Sequence, residues 1–136
     1  PYFCGNSFFM PGTETPQSVK LNYKIWLSTP DDRGIMGDGK WQILKAIETH
    51  GSLKAATKAL GITYRRTWGD LKVIEETLGF SLLEKTRGGK ECGHSQLTPE
   101  GSKLVEAFDD LHAKADAYME QLFDEFQLKI QGALNG

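Results

Sequence analysis

The stretch "GITYRRTWGDLKVIEETLGF", Gly61 to Phe80, decides how the chain is read. Thr67, Leu71, Ile74 and Leu78 recur at i, i+4, i+7 and i+11, the spacing of one helix face turned to a core. Thr63, Tyr64, Arg65, Trp68 and Lys72 fall largely on the other side, with Arg66 at its edge. Monomeric domains seldom expose such an aromatic cluster to water without a use for it. Gly61 and Gly79 delimit the helix, expected over Thr63–Leu78.

Upstream of this helix, "LKAATKAL" after Ser52 reads as a shorter helix with Ser52 as its N-cap and Gly61 as its stop. Its alanines at 55, 56 and 59 let a neighbouring backbone come close. Before it, Trp41, Leu44 and Ile47, with Ile43 beside them, give a first helix capped by Asp38 and ended by Gly51. "VKLNYKIWLS", Val19 to Ser28, alternates with period two and predicts a half-buried strand. "TPDDRGIMGDG" breaks that alternation and reads as loop, and residues 1–18 read as an N-terminal arm.

Downstream, "FSLLEKT" and "HSQLT" flank the glycine-rich "RGGKECG" and predict a hairpin. Thr98-Pro99 then opens a long helix, with Thr98 as cap, expected to reach about Ile130. Helix, turn, small helix, turn, basic helix and glycine hairpin make a winged helix-turn-helix layout. The predicted fold is mainly α with small β, an N-terminal strand and a long C-terminal helix. Three segments follow: the arm at 1–18, the winged domain at 19–98, and the long helix with its tail at 99–136.

The formal net charge of −2 conceals a segregation. Residues 40–98 hold 10 Lys/Arg against 6 Asp/Glu, and residues 99–136 hold 3 against 8. A basic middle beside an acidic helix points to an anionic partner at the middle. In the long helix the acids at 106, 109, 110, 116, 120, 124 and 125 follow one side and read as a solvated face, with His112 also expected at solvent. Leu104, Phe108, Leu111, Ala115, Tyr118 and Leu122 alternate spacings of four and three, a heptad seam that Phe126 extends. The first half of that seam suits packing within the chain. The second half predicts a homodimer interface.

Several function classes drop out. No apolar run approaches the roughly 20 residues that span a bilayer, and no signal peptide is recognisable, so a cytoplasmic protein is expected. Cys4 and Cys92 suggest no disulfide framework. Cys92 and His94 are too few for a metal site, and no catalytic set stands out, so neither metal, cofactor nor enzyme activity is expected.

The segment "GSLKAATKALGITYRRTWGDLKVIEETLGFSLLEKTRGGKECGHSQLTPEGSKLVEAFDDL" resembles the N-terminal winged-helix domain of ModE-type molybdate-responsive regulators, itself related to LysR-type DNA-binding domains. The features that carry it are "GSLKAATKALGITY", the Thr67-Trp68 pair, the "RGGK" wing and "LTPEG". The resemblance covers roughly residues 19 to 125 and implies a dimeric transcription regulator that binds double-stranded DNA. On that reading Ser52 and Lys54 sit against phosphates. Thr63, Tyr64, Arg65 and Arg66 lie at the reading end of the recognition helix, Lys72 suits a phosphate, and Arg87 and Lys90 lie in the wing. Trp68 fits either core packing or DNA contact. The wing departs from the family's glycine-rich pattern at Glu91, Cys92 and His94, and Glu91 is awkward against phosphate. Full regulators of this type append molybdate-binding domains; none is expected within these 136 residues. The alternative is a winged-helix protein-interaction module that has lost operator binding.

Overall fold

The computed structural model describes residues 19–85 and 95–135. Among them are two antiparallel strand pairs and four helices. The described chain divides into two compact units, one spanning Ile25–Asp109 and one made of residues 19–24 and 110–135.

The larger unit opens with β1, Trp26–Ser28, paired antiparallel to β2, Gly34–Gly37. The turn between them is held by Thr29, whose N–H donates to Arg33 O at 2.8 Å and whose hydroxyl accepts from Arg33 N at 3.0 Å. Two expectations are corrected here. The strand predicted over 19–28 keeps its alternating exposure from Leu21 to Ser28, yet only its last three residues pair. The segment read as loop supplies their partner β2. Gly37 explains the tight fit: a Cβ there would lie 3.0 Å from the Trp26 Cβ.

Helix α1, Asp38–His50, is preceded by Gly37 as N-cap, so Asp38 is the first helical residue and not the cap. Its carboxylate still suits the positive end of the helix dipole. Gly51 stops the helix at φ 88, where a residue with a Cβ would be strained. Helix α2 is Leu53–Leu60 and helix α3 is Tyr64–Leu78, closed by Gly61 and Gly79, both left-handed. Strands β3, Leu83–Lys85, and β4, Ser95–Leu97, pair antiparallel as the bases of the expected hairpin. Helix α4, Pro99–Asn135, runs five residues past its expected end.

One core binds the larger unit. Leu44 and Ile47 of α1, Leu53 and Ala56 of α2, Leu71 and Ile74 of α3, Leu82, and Val105 and Phe108 of α4 are all buried. The close-approach role foreseen for three alanines falls to Ala56, while Ala59 is exposed. Trp41 lies on Phe108 with ring centroids 5.3 Å apart, and its indole N–H donates to Asp109 at 2.6 Å. Phe108 is therefore a core residue and not part of a dimer seam, and Leu104 packs against the same cluster. Asp109 also lies 3.6 Å from Lys45 Nζ, so it anchors α1 instead of standing on a solvated face.

In the smaller unit Tyr23 donates its hydroxyl proton to Asp116, which also lies 3.0 Å from His112 Nδ1. His112 is buried, contrary to the expected solvent position, and Asp116 is drawn inward with it. Phe123 is buried, while Leu111, Tyr118, Leu122 and Phe126 are exposed. A groove of about 480 Å³ runs between residues 19–21 and Met119, Leu122, Phe123 and Phe126. No helix among the described residues is long and apolar enough to cross a membrane.

Candidate nucleic-acid interface

Local chemistry positions α2 and α3. Ser52 has extended backbone, and its Oγ accepts from Ala55 N at 3.1 Å. It is 2 % exposed. The phosphate contact foreseen for its side chain is therefore corrected: the hydroxyl is enclosed and bonded to the helix it starts. Lys54, one turn on, is exposed. Gly61 at φ 69 turns the chain, with Ile62 N donating to Thr57 O at 3.0 Å.

Helix α3 starts one residue later than expected. Thr63 is its N-cap and makes no side-chain cap bond. Tyr64, Arg65 and Arg66 thus form its first turn, whose N–H groups lack acceptors within the helix and lie at its positive end. The buried stripe is the one expected: Thr67, Leu71 and Ile74 are buried, and Leu78 packs against the core. Thr67 Oγ1 donates to Thr63 O at 2.8 Å, which places its methyl group in the core without an unpaired hydroxyl.

Arg65 and Arg66 are exposed, and Tyr64 and Trp68 are each 40 % exposed. Trp68 is thus outside the core cluster. Lys72 is half-buried, with Nζ 5.0 Å above the Trp68 ring and 3.0 Å from Glu75 Oε1. Ile62 and Val73 extend the exposed surface, although periodicity alone did not mark them.

Glu75 is the residue that sequence reasoning missed. Its Oε2 accepts from Leu82 N at 2.7 Å and from Leu83 N at 3.0 Å. One carboxylate therefore ties α3 to the start of β3 and to Lys72. Burial opposes its charge, but the bonds from Lys72, Leu83 and Leu82 and the lysine's charge together hold the carboxyl below its ordinary value. No pattern signal marks it, because the bond depends on the path the chain takes after Gly79.

The far side of the hairpin is fixed by Thr98. Its N–H donates to Leu82 O at 2.9 Å, and its hydroxyl donates to Ser81 O at 2.6 Å and accepts from Gly101 N at 2.9 Å. Gly101 has a physical reason to lack a side chain: a Cβ there would lie 2.8 Å from Leu82 O. Arg87 and Lys90, with Glu91, Cys92 and His94, lie outside the described residues. Among the described residues no group of three His, Cys, Asp or Glu side chains is arranged to hold a metal ion.

A helix pair joined by a tight turn, a third helix packed behind it and a hairpin beside it define a winged helix-turn-helix. Residues 39–102 match the family described as bacterial regulatory helix-turn-helix protein, lysR family. The chain is similar to the molybdenum-pterin-binding protein MopB of Rhodobacter capsulatus, 32% identical over 78 residues, covering 57% of this chain and 29% of that protein. It is similar to the DNA-binding transcriptional dual regulator ModE of Escherichia coli (strain K12), 28% identical over 117 residues, covering 86% and 41%. Among solved structures it resembles the full-length LTTR LysG of Corynebacterium glutamicum at 24% identity and a TM-score of 0.39, covering 70% of this chain and 28% of that one. The chain spans less than half the length of each of these proteins.

Proposed function

We propose that this chain is the DNA-binding part of a transcription regulator, acting on double-stranded DNA as a homodimer in the cytoplasm, with no catalytic step of its own. One observation carries the reading: Tyr64, Arg65, Arg66 and Trp68 stand exposed on a helix whose opposite stripe is sealed in the core. Water gives such a face no reason to exist, and a duplex does. Arginine pairs bidentately with guanine O6 and N7 in the major groove, and the first-turn N–H groups suit a phosphate.

In this reading α3 enters the major groove with Thr63, Tyr64, Arg65 and Arg66 at its leading end. Lys54 and Lys72 lie beside the backbone, and Trp68 packs along it. Lys72 must leave or share its bond to Glu75 to reach a phosphate. Arg87 and Lys90 of the wing add backbone or minor-groove contacts. Ser52 acts by setting the angle of α2. Leu111, Ala115, Tyr118, Leu122 and Phe126 meet a second copy, and two-fold symmetry implies a near-palindromic site.

Selection from random duplexes tests the reading. Enrichment of a sequence with two related half-sites is expected. No enrichment, with a stable protein complex recovered instead, contradicts it and favours a winged-helix interaction module.

A further inference from the structure

Gly69 sits in the middle of α3, where glycine is the poorest helix former after proline. Three internal reasons for a helical glycine are absent. Its φ is not positive. No atom lies within 4 Å of the place a Cβ would take. It is also clear of both caps, which are Thr63 and Gly79. Gly101 shows the contrast, since there the fold itself fills the space.

The position of Gly69 gives the missing reason. At about 100° per residue it lies roughly 170° from the mean direction of Thr67, Leu71, Ile74 and Leu78. It shares the most outward line of the helix with Glu76, two turns on, and is half-buried among its longer neighbours. Arg65, Trp68, Lys72 and Val73 stand around it. A gap at the centre of a ring of long side chains lets a surface come against the helix backbone while those side chains reach past on either side.

We infer that Gly69 is the point of closest approach between α3 and the floor of the DNA major groove. The inference rests on the DNA-binding reading and adds a residue that sets depth: the bare backbone lets Arg65 and its neighbours reach base edges. A side chain at 69 holds the helix away from the bases but leaves phosphate contacts at the rim. Sequence-specific binding therefore suffers more than non-specific binding, which is carried by phosphates.

The test compares wild type, Gly69→Ala, Gly69→Leu and Gly132→Ala by thermal melting and by binding to the selected duplex and a scrambled one. Gly132 is the control, a helical glycine in α4 that also has open space about it. Gly69→Ala is expected to melt about 3 °C higher, as better helix formers do. It should bind the selected duplex about tenfold more weakly, the size of one lost base contact, with scrambled-duplex binding nearly unchanged. Gly69→Leu should lose more, and Gly132→Ala should bind as wild type. Wild-type affinity for the selected duplex in Gly69→Ala overturns this inference alone. So does an equal loss on both duplexes. A wild type that enriches no duplex overturns the DNA-binding reading and this inference with it.

Discussion

The exposed face of α3 and the outer half of α4 both present large apolar side chains to solvent, but in opposite electrostatic settings. On α3, Tyr64 and Trp68 stand among Arg65, Arg66 and Lys72. On α4, Tyr118, Leu122, Phe126 and Leu128 stand among Glu120, Asp124 and Glu125. Aromatics interleaved with cations suit a polyanion, whereas an apolar strip edged by acids repels one and suits a protein surface. Exposure alone does not tell the two apart; the neighbouring charge does.

Removing the cations from α3 should produce the largest effect. Arg65→Ala with Arg66→Ala is expected to weaken duplex binding about a hundredfold or more, since each good base contact is worth roughly 1–3 kcal/mol. A melting temperature near that of wild type would confirm that the loss is not one of folding.

Charging the α4 strip should separate the two regions. Leu122→Glu with Phe126→Glu is expected to convert a dimer to a monomer in sedimentation equilibrium, because both side chains are exposed and make little of the core. A wild type that is already monomeric at tens of micromolar would break the assignment of this face.

A third change probes the frame between the regions. Gly101→Ala places a Cβ 2.8 Å from Leu82 O, so it should destabilise by about 1–3 kcal/mol, as overpacking does. The sign is informative, because alanine otherwise stabilises a helix. Denaturant unfolding reads it directly.

The smallest effect concerns the carboxylate that joins α3 to the hairpin. Glu75→Gln should cost about 1 kcal/mol at pH 7, the net worth of a charge-assisted bond set. The folded carboxyl lies below its ordinary value of 4.5, so its contribution is present above that value and lost as pH falls through the folded one. Stability curves of variant and wild type should converge in acid; a constant gap down to pH 2 would show that the charge is not the cause.

Much of this was legible in the sequence, and the reasons it stopped are physical. Glycines at 51, 61 and 79 end three helices because only their φ angles, 88, 69 and 84, are at ease in the left-handed region. The period of Thr67, Leu71 and Ile74 names the buried side of α3 because burial repeats with the helix. β2 was not legible, since Gly37, which reads as a breaker, is needed where the strand passes close to Trp26. The inward turn of His112 was hidden as well: its partner Asp116 is held by Tyr23, far away in sequence. Phe108 fits a heptad seam on paper, but Trp41 covers it.

The central claim is that the α3 face meets a polyanion. It is tested most directly by titrating the selected duplex at a series of salt concentrations. Phosphate contacts release counterions, so the logarithm of the binding constant should fall linearly with the logarithm of salt, by about 0.9 per contact. The slope should shrink, along with affinity, in the Arg65→Ala, Arg66→Ala double variant. Tight binding that ignores salt, or that survives the double substitution unchanged, would contradict the account.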